Sequence, residues 1–376
     1  MKLQPATPDT QSVNIEGRIV FLDYLRIFAF TTVLIGHTYY GYAEAYIQDQ
    51  SHLYILRSVL SLLLPIFYGG GTGVVVFFLV SGYIIAHVLQ TEQTSEFIIK
   101  RIFRIYPLYM FAVLTQSMAF LASKAGSNFI VLYFQYVSQH PEYLMGQLPN
   151  MFSQFFLLGD FFGTPWTLGG VEWSLRLEII FYVYMAILRW LNIFQLHKKF
   201  LPYILSATSI LLILSPPFPH WNYYTNGSLN IYAPFFLLGA IFYLTATKAA
   251  SRYYLLVSIV LVMYQYFTAM TAYQPMWIGT QFAMLALLIF STAWMFRKYF
   301  IKTSLIVFLS ELTYATYLFH AWLYNYLERL VINYSLLTNY VDIQALLLLL
   351  TICILTVRWI EKPGVKFGNR LIKKYL

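Results

Sequence analysis

Apolar runs recur along the whole chain, each about 15–23 residues long. Ten are legible, near residues 19–41, 73–90, 104–123, 171–191, 201–215, 230–247, 253–271, 276–296, 304–324 and 343–361. A helix of about 20 residues crosses the ~30 Å hydrocarbon core, and hydrocarbon offers a backbone no hydrogen-bond partner but itself. The expected fold class is therefore an all-α polytopic membrane protein of about ten transmembrane helices. Only 10% of the 376 residues are charged, against about 25% in soluble domains.

The expected organisation is a single integral-membrane domain. Residues 1–18 form a short polar N-terminus without a signal-peptide core, 19–361 the ten-span region, and 362–376 a basic tail. No appended soluble domain is expected. Residues 53–67 carry Arg57 and Pro65, and residues 147–162 carry Asp160. Both stretches read as interfacial or loop-packed helices rather than spans. Cys353 is the single cysteine, so the chain holds no internal disulfide.

Ten spans put both termini on one side. Of the 24 Lys and Arg residues, 19 fall on that side, three on the other (Arg57, Lys124, Arg329) and two within spans (Arg26, Arg176). That asymmetry makes both termini cytoplasmic. It also accounts for the net charge of +9 as topology and attraction to anionic lipid headgroups. No nucleic-acid partner is expected, and no metal site with sensible ligand spacing appears.

The first run contains Asp23, Arg26 and His37, none of which spanning requires. An ionised side chain near the middle of a membrane helix costs about 2.5–3.5 kcal/mol on insertion scales. Arg26 and His37 lie about 1100° apart in helical rotation, within roughly 20° of one face, with Asp23 within about 60° of both. A polar stripe about 16 Å long thus climbs one helix and ends in an imidazole. A structural reading stands beside it: a self-neutralising Asp–Arg pair and a histidine bonded to a neighbouring helix.

Depth assignment yields two clusters. His37, Glu178 and His320 fall toward the outside, whereas Arg26, Arg101 and Arg104 fall toward the cytoplasm. Arginine presents a fork of donors matched to phosphate, which suits a cytoplasmic nucleotide-like donor. An imidazole near the outer face suits deprotonation of an acceptor hydroxyl. Glu172 and Arg176 make an i,i+4 pair, which leaves Glu178 for another helix.

The residues around these positions carry a resemblance. Phe-Leu-Asp23-Tyr-Leu-Arg26 followed by His37 is one piece, and Gly73-Val-Val-Val-Phe-Phe-Leu-Val-Ser81-Gly82-Tyr83 another. Arg101-Ile-Phe-Arg104-Ile-Tyr-Pro107-Leu-Tyr109 and Trp173-Ser174-Leu-Arg-Leu-Glu178-Ile-Ile-Phe-Tyr182 follow. Thr313-Tyr314-Ala-Thr-Tyr317-Leu-Phe-His320 and Ile-Glu361-Lys-Pro363 complete the series. In this order the chain resembles the membrane-bound acyltransferase 3 family over nearly its whole length. The resemblance implies transfer of an acyl group, commonly acetyl from acetyl-CoA, to hydroxyls of extracytoplasmic glycans or glycolipids at a bacterial cytoplasmic (inner) membrane. It implies functional roles for Arg26 with His37 and for Arg101 with Arg104. Val75 stands where the family usually has an acidic or polar residue, and the arginine often found shortly before Pro234 is missing.

The expected mechanism makes His37 the general base, with Glu178 as its first candidate carboxylate. Arg26, Arg101 and Arg104 bind the donor, Asp23 orients Arg26, and Ser81, Tyr109, Trp173 and His320 line substrate paths. A transient acyl-His37 stays open. The expected partners are membrane lipids, acyl-CoA and a saccharide or glycolipid acceptor, and a homo-oligomer is compatible with this. The competing classes are a transporter or flippase for an envelope sugar or lipid-linked intermediate, and a non-catalytic scaffold. A transporter would commonly show two related halves, and no second Asp–Arg–His stripe occurs.

Overall fold

The structure, a computed structural model, describes residues 18–124, 153–159, 168–194, 198–220, 226–273, 279, 281–334 and 340–376. The tyrosines expected in outer loops (Tyr133, Tyr136, Tyr143, Tyr223 and Tyr224) lie outside the described residues, as do Asp160 and residues 1–17. Among the described residues the regular structure is helical and contains no β-strand. The helices are α1 (Val20–Thr38), α2 (Tyr40–Gln48), α3 (Tyr54–Phe67), α4 (Gly71–Val88) and α5 (Thr94–Lys124). They continue with α6 (Glu172–Trp190), α7 (Leu201–Leu214), α8 (Ser228–Ala246), α9 (Arg252–Tyr273) and α10 (Gln281–Met295). The last three are α11 (Ser304–Tyr334), α12 (Val341–Thr356) and α13 (Lys362–Tyr375), with a π-helical turn, Val357–Glu361, between α12 and α13.

Among the described residues five helical stretches are long and apolar enough to cross a membrane: Val20–Thr38, Tyr54–Val88, Ser228–Ala246, Arg252–Tyr273 and Val341–Tyr375. The other five expected runs also hold helices among the described residues: α5, α6, α7, α10 and α11. α7 is apolar but only 14 residues long, about 21 Å of helix. α5, α6 and α11 are long but polar in places. α6 alone holds Glu172, Arg176, Glu178 and Arg189. The 53–67 stretch is helical, as α3, and runs into α4 through a kink at Gly69 and Gly70, where φ is +52° and +68°.

Chain contacts divide the molecule into two compact units, Met1–Val80 with Gly279–Thr313, and Ser81–Ile278 with Tyr314–Leu376. In the first, α1 packs on α3, on the Tyr68–Gly70 turn and on α10. Phe21, 1% exposed, sets its ring 6.4 Å from that of Phe290. Gly70 is required twice over at the kink: its φ is left-handed, and a Cβ there would come within 2.8 Å of Val33 Cα.

The second unit is organised around α8, which is buried over nearly its whole length and packs against α6, α7 and α9. Its apolar, aromatic sequence explains this, because a helix hydrophobic on every side belongs in an interior. Phe181 of α6 stacks on Phe236 of α8 with ring centroids 4.7 Å apart. α13 lies along α5, with Gly364 and Gly368 against Pro107 and Phe103, and Phe103 and Phe367 meet edge to face at 5.3 Å.

Candidate functional site

In the first unit the polar stripe is real geometry. α1 is one uninterrupted 19-residue helix that holds Asp23 in its first turn and His37 in its last. Asp23 is 2% exposed and well supplied with donors. Arg18 donates from Nε to Oδ2 at 2.6 Å and from Nη2 to Oδ1 at 3.2 Å, and the Ser310 hydroxyl donates to Oδ1 at 2.7 Å. Arg26 stands farther off, its Nη1 3.5 Å from Oδ1. The expected Asp23–Arg26 pairing therefore exists, but Arg18 is the closer partner. Arg18 also lies 3.9 Å from Glu311. His37 is exposed at the far end of the helix.

The second unit contains a polar ladder on α6. Ser174, Glu178 and Tyr182 follow one another at four-residue intervals, and so share a face. The Tyr182 hydroxyl donates to Glu178 Oε1 at 2.5 Å, and Ser81 of α4 donates to the same oxygen at 2.8 Å. The hydroxyls of Ser174 and Tyr317 of α11 are 2.5 Å apart. Two donors explain how a carboxylate only 6% exposed is accommodated at Glu178. The adjacent Glu172–Arg176 pair forms as expected, 3.5 Å apart and buried.

Arg101 reaches this ladder from α5. Its guanidinium carbon lies 5.4 Å from the Phe97 ring centroid and 5.8 Å from that of Tyr182, inside the range of a cation–π contact. Arg104 pairs instead with Glu361 at the end of the π-helical turn, a carboxylate 1% exposed. Beside Arg104 in sequence, the Ile105 carbonyl accepts a hydrogen bond from the Tyr314 hydroxyl at 2.9 Å. Ahead of the expected span, Lys100 contacts Glu92 at 2.8 Å and Glu96 at 2.7 Å. Partial burial pulls its ammonium down, but the two carboxylates outweigh that and hold it above the ordinary lysine range.

The expectation of separate outer and inner clusters is modified here. Glu178 and Arg101 belong to one network through Tyr182, because the long arginine side chain reaches the middle of α6. His320, 1% exposed, lies a turn beyond the ladder. Its Nδ1 is 2.8 Å from the Tyr317 carbonyl oxygen, which makes Nδ1 the protonated nitrogen in that bond. Tyr109 and Trp173 are buried in protein contacts. The Tyr109 hydroxyl donates to the Gln154 carbonyl at 2.6 Å, and the Trp173 and Tyr232 rings are 5.2 Å apart.

Arg18, Ser310 and Phe97 escape a reading of the sequence for function, and Tyr182 and Glu361 enter it only as motif pieces with no role assigned. Tyr182 had a signal, its four-residue spacing from Glu178. Arg18 sits one residue before the first apolar run, where a topology rule alone suffices to explain it. Ser310 and Glu361 are remote in sequence from what they bond.

The acyltransferase 3 family model, described as an acyltransferase domain, matches residues 19–358. No curated protein and no solved structure matches the chain.

Proposed function

This chain belongs to the acyltransferase 3 family, and from that premise we propose that it moves an acyl group, acetyl foremost, from cytoplasmic acyl-CoA to a hydroxyl of an extracytoplasmic saccharide or glycolipid. The single observation that carries the reading is the family match over residues 19–358. The helix α1 supports it, since an intramembrane ionisable stripe is a functional feature by default. The proposal includes ten spans, cytoplasmic termini and residence in a bacterial cytoplasmic membrane.

In this reading α5 supplies the cation that holds the phosphates of the donor, with Arg26 on α1 as a further cation. His37 accepts the proton of the acceptor hydroxyl, and the freed oxygen attacks the thioester carbonyl. The carbon–sulfur bond breaks, CoA leaves as the thiolate, and the imidazolium returns the proton to it. The ester is the second product. Base assistance of this kind accelerates a reaction by about 10²–10⁴. Glu178, the carboxylate that the sequence reading sets beside His37, is assigned here to the donor side, through the Ser81 and Tyr182 hydroxyls it binds.

The test uses the purified full-length chain in nanodiscs, titrated with acetyl-CoA and with free CoA, beside a transfer assay on an envelope glycolipid extract. Wild type is expected to bind both ligands saturably and to label the extract from radiolabelled acetyl-CoA. His37→Ala is expected to bind but not to transfer. Folded wild-type protein that binds neither ligand would overturn the acyl-CoA assignment.

A further inference from the structure

The two arginines three residues apart on α5 are held by different chemistry. Arg104 donates from Nη1 to the buried Glu361, so its charge is matched inside the fold. Arg101 lies against ring faces, those of Phe97 and Tyr182. A π face attracts a cation without neutralising it. Among the described residues no carboxylate pairs with Arg101, and its Nε is buried there without a hydrogen bond. A guanidinium against a ring keeps its planar fork of N–H donors at the edge, in the arrangement that suits a phosphate oxyanion.

The Tyr182 ring is itself fixed. Its hydroxyl is tied at 2.5 Å to Glu178, and Ser81 holds that carboxylate at 2.8 Å. The platform under Arg101 is therefore anchored through α6 to α4, and every member belongs to one unit.

We infer that the arginine pair is divided in role: Arg101 contacts the phosphate oxygens of the donor, Tyr182 is the residue that positions it, and Arg104 with Glu361 fastens α5 to the turn before α13. The division rests on the acyl-CoA reading above and goes beyond it. Sequence alone treats the two arginines as equivalent.

Binding of acetyl-CoA to the full chain in nanodiscs tests the division. Arg101→Gln is expected to weaken binding about tenfold or more, the size of one charge-assisted hydrogen bond. Tyr182→Leu removes the platform and is expected to do the same. Tyr182→Phe keeps the ring, loses only the bond to Glu178, and is expected to stay within about threefold of wild type. Arg104→Gln combined with Glu361→Gln is expected to stay within about threefold while lowering the thermal midpoint. Added salt is expected to weaken wild type more steeply than Arg101→Gln.

Two results would overturn the division while leaving the acyl-CoA reading intact. One is an Arg104→Gln, Glu361→Gln variant that loses as much affinity as Arg101→Gln. The other is a folded Tyr182→Leu variant that binds like wild type. Should Tyr182→Leu not fold, the comparison of the two arginine variants decides alone. Absence of saturable binding by wild type is a separate result, and it removes the acyl-CoA reading itself.

Discussion

Arg18 and Asp23 form the tightest ion pair around the α1 stripe, with Nε 2.6 Å from Oδ2 and a second bond of 3.2 Å from Nη2 to Oδ1. The pair closes the base of the helix that carries His37. It also shows why an aspartate only 2% exposed is tolerable there: two guanidinium bonds and the Ser310 hydroxyl satisfy the carboxylate before Arg26 adds its own charge.

Asp23→Ala should therefore be more damaging than Arg26→Ala to the stability of the first unit. It leaves Arg18, Arg26 and Ser310 without their common acceptor, and one lost buried bond costs about 1–3 kcal/mol. Arg18 and Arg26 retain solvent access, 26% and 34% of the side chain, so the loss sits toward the low end. Thermal unfolding in detergent measures it. An Asp23→Ala midpoint equal to that of wild type would show that the network contributes nothing to folding.

The Glu178 ladder predicts an asymmetry between two conservative changes. Ser81→Ala removes a donor from a buried carboxylate, with a loss of about 1–3 kcal/mol. Glu178→Gln keeps an acceptor for both hydroxyls and relieves the burial of a charge. It should unfold at or above the temperature of Ser81→Ala. If Glu178→Gln proved the less stable of the two, the hydroxyl bonds would not be what holds that carboxylate.

Close packing of α4 and α8 depends on Gly82, where any Cβ would be driven into the Phe236 carbonyl oxygen. Because that obstacle is backbone, it cannot rotate away. Gly82→Ala is expected to destabilise the second unit by about 1–3 kcal/mol. Gly41→Ala is the matched control: it lies in α2, a Cβ there meets nothing within 4 Å, and helix propensity favours the change. Paired midpoints for the two variants check the prediction, and equal values would refute it.

Much of the helical class and the placement of the α1 stripe was legible, because burial in hydrocarbon leaves so few backbone options. The i,i+4 pairing of Glu172 with Arg176 was legible for the same local reason. What stayed hidden is non-local. Nothing in a linear pattern says that Glu361 would neutralise Arg104 or that Ser81 would donate to Glu178, since these bonds join residues 257 and 97 positions apart. Arg18 was hidden for another reason, since a cation at a span end has a sufficient topological explanation and invites no further question. α6 is among the less apolar of the expected spans because it carries Glu172, Arg176, Glu178 and Arg189.

His37 offers the sharpest separation of chemistry from folding. It is exposed in the last turn of α1, and exposed substitutions usually change stability by no more than about 0.5 kcal/mol. His37→Ala should therefore insert, purify and unfold like wild type, and bind acetyl-CoA with unchanged affinity. If the imidazole is the base, transfer should fall by about 10²–10⁴. His37→Gln should fall as far, because it restores a hydrogen-bonding amide but no titrating nitrogen. Initial rates of acetyl transfer for the two variants, set against their thermal midpoints, make the comparison. A His37→Gln enzyme with more than about a tenth of wild-type turnover would assign the residue to positioning by hydrogen bond rather than to proton transfer.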